Sequence, residues 1–213
     1  MIRITDVLKE IIQGCDLLQF GLAHRLLNLS KVADYLKPLV EARTKKKVTI
    51  PSILMSLSRL QKTYSRIMPQ ASDFKLNNLN VFTDLSTVTF NKTQKVSENT
   101  IQFFAHVKKK LGYINITESG HEITLIFDKK YIKELKKIVK VAPKYINQDV
   151  VGIAVIFDEK HYYQPGIIYM LFQQMTLQGI NVIEISSTYT ELVLYLERKD
   201  LKIAFDSLFN RFF

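Results

Sequence analysis

Residues 165–187 read PGIIYMLFQQMTLQGINVIEISS, and this stretch decides the fold. Pro165-Gly166 opens it, Ile167 to Leu177 is mostly apolar over a helical length, Gln178-Gly179 closes the helix, and Ile180 to Ser187 has the composition of a buried strand. A proline in the first turn of a helix loses no hydrogen bond, and a glycine just past the end can take the left-handed cap. The sequence therefore predicts a helix over 165–178, one tight turn, and a strand.

Working outward, the same order recurs earlier in the chain. Thr87-Val88-Thr89-Phe90 parallels Ala154-Val155-Ile156-Phe157, and Gly112 ends a helix as Gly179 does; both offsets are 67 residues. The first copy reads as a helix over Ser97–Leu111 with Ile101, Phe104, Val107 and Leu111 inward, then strands Tyr113–Thr117 and Glu122–Phe127 joined at Ser119-Gly120. A helix over Lys130–Val141 follows. The second copy reads as Val151–Phe157, Pro165–Gln178, Asn181–Ser187, Leu192–Glu197 and Leu201–Phe212. Each copy is βαββα, so the second lacks a last strand; that edge is expected from Leu76–Phe82 or from a partner chain. An open edge invites pairing, so a homodimer is expected.

Pro165-Gly166-Ile167, Leu171-Phe172, Gly179-Ile180-Asn181-Val182 and Ile185-Ser186-Ser187 resemble an ACT domain of the kind found in the regulatory part of aspartate kinases. The resemblance implies an α+β protein with two ferredoxin-like βαββαβ modules over 74–148 and 149–213, interleaved as in those kinases. It further implies binding of an amino acid or related metabolite, with no chemistry and no cofactor. The first copy departs from the pattern, with Val96-Ser97-Glu98 where the second has Pro-Gly and Tyr113-Ile114-Asn115 where the second has Ile180-Asn181-Val182. A ligand is thus expected at the second copy.

In this fold the turn Asp158–Gln164 lies at a helix N-terminus, whose unpaired N–H groups and positive dipole end suit a carboxylate. Asp158 or Glu159 is placed to meet an ammonium group, Gln164 to hydrogen-bond, and Tyr162 or Tyr163 to close over the ligand. Pro165, Gly166 and Ile167 at the helix start, with Ile180, Asn181 and Val182 at the strand start, complete the candidate ligand-binding set. His161 reads as a solvated loop residue. The plainer reading makes Ile167, Leu171, Phe172, Met175, Ile180, Val182 and Ile185 ordinary core and the module a purely structural or dimerising one.

Residues 1–70 carry helical periodicity and 12 basic against 5 acidic residues, a net +7; residues 71–148 carry +6 and residues 149–213 carry −3. Met68–Asp73 reads as a linker. A helix is expected over Thr5–Leu18 and another over Lys31–Arg43, with Ser30 as N-cap and Val32, Tyr35, Leu36, Leu39 and Val40 on one face. A basic turn, Lys45-Lys46-Lys47, leads to a helix from Thr49-Ile50-Pro51 to Arg66. Two helices with a short turn fit a helix-turn-helix, loosely a winged-helix, domain. In that reading Ser52, Ser56, Arg59 and Lys62 approach DNA base edges while Lys45, Lys46 and Lys47 neutralise phosphates. A protein-interaction role and a structural cap are the alternatives.

The single Cys15 excludes an internal disulfide, and four scattered His give no zinc spacing, so no metal site is expected. The longest apolar run, Val150–Phe157, is far short of the roughly 20 residues that span a bilayer. A cytoplasmic protein without membrane contact is expected. No phosphate-binding loop, nucleophile elbow or zinc-protease motif is visible, which points away from an enzyme. Two readings follow: an amino-acid-sensing transcriptional regulator acting through N-terminal DNA binding, or a regulatory subunit of a separate biosynthetic enzyme such as an aspartate kinase.

Overall fold

The computed structural model describes residues 3–67, 73–74 and 76–213. The chain forms two compact units, Met1–Pro69 and Gln70–Phe213. Met68 to Ser72 of the proposed linker lie outside the described residues.

The described elements of the first unit are four helices, α1 (Ile4–Gln13), α2 (Asp16–Ala23), α3 (Leu29–Thr44) and α4 (Ile50–Ile67). The single helix expected over Thr5–Leu18 is two, because Gly14 ends α1 and Cys15 adopts extended backbone before α2. The cap of α3 is Asn28 rather than Ser30: its side-chain oxygen accepts the N–H groups of Ser30 and Lys31 at 3.1 and 3.2 Å. Pro38 lies inside α3 without ending it, and Lys45 ends it in left-handed conformation. The core takes Val32, Ala33, Leu36 and Val40 from α3, while Tyr35 and Leu39, expected inward, are exposed. Ile53, Leu57 and Leu60 of α4 pack against Val7, Leu8 and Ile12 of α1 and Leu22 of α2 in one core. The described part of this unit contains no strand, so it shows no wing.

The second unit is one antiparallel sheet with helices. Its strands are β1 (Leu76–Asn91), β2 (Ile114–Glu118), β3 (Glu122–Asp128), β4 (Tyr145–Phe157), β5 (Val182–Ser187) and β6 (Glu191–Glu197), in the order β2-β3-β1-β4-β6-β5. The helices are α5 (Gln94–Lys109), α6 (Ile132–Val139), α7 (Ile167–Leu177) and α8 (Leu201–Phe212). The strands β1 and β4 are longer than the four- and seven-residue runs read from sequence, and their length closes both halves. Leu76 to Phe82 of β1 pairs with Gly152 to Phe157 of β4, while Thr87 to Thr89 pairs with Tyr145 to Asn147. The edge left open in the second copy is therefore filled from within the chain by Leu76–Phe82, and no partner strand is required there. Between these two pairings the register shifts around Phe82–Leu85, where Asp84 has φ 55.

Alternate residues of each strand feed different cores, as a period of two demands. Ile153 and Val155 of β4 with Leu194 and Leu196 of β6 meet Met170 and Leu171 of α7 and Leu208 of α8. Leu125 and Phe127 of β3 meet Phe103 and Val107 of α5 and Leu135 of α6. The inner face of α5 is Val96, Thr100, Phe103 and Val107; Ile101, Phe104 and Leu111, expected inward, are exposed. The opposite side chains, Leu85, Ile126, Val150, Ala154, Val193 and Tyr195, pack on one another.

That last cluster shows the sheet is curled. Flat, the four strand spacings between β2 and β6 would span about 19 Å. Yet Tyr113, just before β2, has its hydroxyl 2.5 Å from that of Tyr195 on β6, and Ser186 of β5 lies 3.0 Å from the same oxygen. Burial and the bond to Tyr195 hold the Tyr113 phenol well above the ordinary tyrosine range.

Candidate functional site

The loop from β4 to α7 is built by its own sequence. Asp158 turns the chain: its carboxylate accepts the Lys160 N–H at 3.0 Å and lies 3.9 Å from the Lys160 ammonium. Glu159 to His161 form one 3-10 turn, and the His161 ring is buried, with Nδ1 2.8 Å from Gln164 Oε1 and the ring 5.4 Å from that of Phe74. Gly166 then takes φ 114, a conformation that L-residues avoid, and α7 begins only at Ile167. Pro165 thus precedes the helix cap instead of opening the first turn, because the left-handed residue between it and Ile167 is not helical. At the other end Gly179, φ 67, follows α7, and the Ile180 N–H bonds back to the Met175 carbonyl at 2.9 Å.

Against this loop lies a cavity of about 140 Å³, lined by Phe157, His161, Tyr162, Ile167, Ile168, Leu171, Ser187, Thr188, Tyr189 and Leu192. Tyr162 of the loop and Tyr189 of the β5–β6 turn flank it with ring centres 4.7 Å apart, and Tyr163 meets the edge of Tyr162 at 4.9 Å. Its walls are chiefly aliphatic and aromatic, with His161, Ser187 and Thr188 as the polar lining residues. No side chain caps the N-terminus of α7, so its first N–H groups, including those of the wall residues Ile167 and Ile168, are left for solvent or a ligand.

Of the residues singled out from sequence, Tyr162 and Ile167 line this cavity. Gln164 supports it through His161. Asp158 is engaged within its own turn, and Glu159 and Tyr163 are exposed. Pro165 and Gly166 shape the approach to the helix. Ile180 is buried in the core beneath α7, Val182 packs against that core, and Asn181 is exposed. His161, read as a solvated loop residue, is instead 1% exposed. The β5–β6 turn, Ser187 to Tyr189, carried no local signal tying it to the loop; only the hairpin pairing of β5 with β6 brings it there.

In the first unit, Lys46, Lys47, Ser52, Ser56 and Arg59 gather on one groove together with Arg3, Thr5 and Thr44, whereas Lys45 and Lys62 lie outside it. Ser56 is not on the outer face expected of it: α4 is packed by α1, α2 and α3, and the Ser56 hydroxyl donates to the Ser52 carbonyl at 3.1 Å and shares a bond with Thr5 at 3.2 Å.

The topology and the loop together point to one architecture. Solved structures similar to this chain include the regulatory subunit of aspartate kinase from Thermus thermophilus, 9% identical at a TM-score of 0.54, covering 65% of this chain and 99% of that one. The second unit has the fold of the ACT-containing regulatory region of aspartate kinases. Another similar structure is the aspartokinase alpha and beta subunits, 13% identical, TM-score 0.53, covering 64% and 98%. The aspartate kinase of Clostridium acetobutylicum is similar over 68% of this chain at 13% identity and a TM-score of 0.54, but the match spans only 36% of that kinase. The shares of this chain that match are close to the share held by Gln70–Phe213. No protein-family model and no curated protein sequence matches the chain. Among the described residues no helix is long and apolar enough to cross a membrane, and no group of His, Cys, Asp and Glu is arranged to hold a metal.

Proposed function

We propose that the second unit is a pair of βαββαβ ACT modules that exchange strands, and that it senses an amino acid without catalysing a reaction. β1 and β4 each serve as first strand of one module and, through their other half, as last strand of the other. The observation that carries the ligand reading is the uncapped start of α7 beside the cavity. A carboxylate meets the free N–H groups there, and an apolar side chain enters between Tyr162, Tyr189, Leu171 and Leu192. Because the Asp158 carboxylate is engaged by Lys160, the ammonium group is left to the hydroxyls and carbonyls of Ser187 and Thr188. The ligand of this reading is thus an aliphatic amino acid.

The protein acts, on this reading, as a regulatory subunit of a separate amino-acid biosynthetic enzyme such as an aspartate kinase, with the N-terminal helices gripping that enzyme. Support comes from neighbours that are themselves regulatory subunits of that kinase. Homodimerisation belongs to the same reading. Its support is the stacked row Phe205, Phe209 and Phe213, whose last two rings are half exposed, at centre spacings of 6.0 and 5.3 Å. The test is to immobilise the full chain, pass over it an extract of the source cells, and assay the retained fraction for aspartate kinase activity with and without each amino acid. Retained activity that responds to one aliphatic amino acid supports the reading. Absence of retained kinase activity contradicts the subunit role.

A further inference from the structure

We propose that the groove of the N-terminal unit binds a phosphate-bearing organic ligand of nucleotide size, either a free nucleotide or a stretch of single-stranded nucleic acid. The groove encloses about 710 Å³, roughly the space of two dozen waters, far more than one phosphate needs. Among the described residues Arg3, Lys46, Lys47 and Arg59 line it and no carboxylate does. Among the described residues none of these four makes an ion pair, whereas Arg43 of the same unit pairs with Glu10. Four cations lining one groove without an ion pair repel one another and are relieved by an anion.

The remaining walls define what that anion carries. Thr44 and Ser52 already donate their hydroxyls to the carbonyls of Val40 and Thr49, at 2.8 and 2.7 Å, so the cations and not these hydroxyls meet the phosphates. The start of α1 adds N–H groups that no side chain caps, with Arg3, Ile4 and Thr5 on the groove. Asp6 is not among the lining residues, and the Glu41 carboxylate is engaged by the Val48 N–H at 2.9 Å. Ile4, Val48 and Met55, the last 62% exposed, give the same groove an apolar floor that inorganic phosphate would leave unused. Cations beside an apolar floor suit phosphates attached to a flat base.

The inference is independent of amino-acid sensing in the second unit and is tested without it. Fluorescence anisotropy of the full chain is measured with two probes, a labelled oligothymidylate and a fluorescent ATP analogue, over a salt series. Lys46→Glu with Arg59→Glu is compared with Lys108→Glu with Lys109→Glu, an equal charge change on the second unit, and each variant is checked for an unchanged melting midpoint. Saturable binding of either probe is expected, weakened at least about tenfold by the groove pair, with the salt slope lowered by about 2, and within about twofold of wild type in the other pair. Binding of the oligonucleotide identifies a strand as the ligand; binding of the analogue alone identifies a free nucleotide. Should the groove pair unfold, Arg59→Gln supplies the comparison, with a loss of about threefold expected. Failure of both probes to bind, or equal weakening by the two charge-reversed pairs, overturns the proposal.

Discussion

The two halves of the sheet unit run the same order of strands and helices yet enter their first helix in opposite ways. In the first half only Lys92 and Thr93 separate β1 from α5, and the Thr93 hydroxyl accepts the Val96 N–H at 3.2 Å, so the chain caps its own helix. In the second half nine residues, 158–166, separate β4 from α7, no side chain caps the helix, and a cavity stands beside its start. One scaffold thus makes a closed helix start and an open one, and the loop decides which. We take the first half to be a supporting half and the second to hold the ligand.

The sharpest way to break this comparison is to damage the first half and look for a loss of binding in the second. Phe103 is fully buried and meets Phe127 edge-on at 5.0 Å. Phe103→Ala should lower stability by about 3–5 kcal/mol in denaturant unfolding, while amino-acid affinity, measured where the variant is still folded, stays unchanged. Loss of affinity would make the halves one functional body.

The two helix-ending glycines sharpen the contrast next. Gly112 does not have positive φ; its neighbour Leu111 does, at 56°. A Cβ at Gly112 would stand 2.5 Å from the Tyr131 ring and 2.8 Å from Val107, so glycine is needed there for space. Gly179 has open space around it and φ 67, so it is needed for conformation. Gly112→Asn should therefore cost about 1–3 kcal/mol, and Gly179→Asn less than about 1 kcal/mol, since asparagine tolerates the left-handed region. Equal costs would contradict the distinction.

Thr93→Ala should cost about 1 kcal/mol by loss of the cap and leave ligand affinity unaltered. An effect of similar size is expected where the halves meet. Tyr113 belongs to the first half and Tyr195 to the second, and the folded protein keeps the Tyr113 phenol neutral above its ordinary pKa. Since the folded value is raised, the contribution to stability is full below about pH 10 and declines as pH rises above it, where the unfolded phenol ionises first. Unfolding titrations from pH 8 upward should show that decline, reduced in Tyr113→Phe, whose cost at neutral pH is about 1 kcal/mol.

Much of this architecture was legible in the chain. The helix end at Gly179 and the helix over Leu201–Phe212 follow from residues that act locally, through backbone conformation and periodicity. Where two periodic phases competed, the sequence misled: Ile101 and Leu111 are apolar at helical spacing, yet the sheet selects Val96, Thr100, Phe103 and Val107. The edge strand Leu76–Phe82 was legible as a candidate, but its continuity with Thr87–Phe90 was hidden because Thr83 and Asp84 interrupt the apolar pattern, and only pairing of both stretches with β4 joins them into one strand. The cavity was half legible. Its loop stands out by sequence, but His161 and the turn Ser187–Tyr189 join it through tertiary pairing that no local spacing encodes.

The central claim is that the open helix start of the second half, and not the capped one of the first, holds an aliphatic amino acid. Titration calorimetry of the full chain with leucine, isoleucine and valine, repeated with Ile168→Trp to fill the cavity and with Thr93→Ala to uncap the first half, tests it most directly. The account predicts saturable binding of at least one of the three, abolished by Ile168→Trp and unchanged in Thr93→Ala. Binding that survives Ile168→Trp, or no binding of any of them to the unaltered protein, would contradict it.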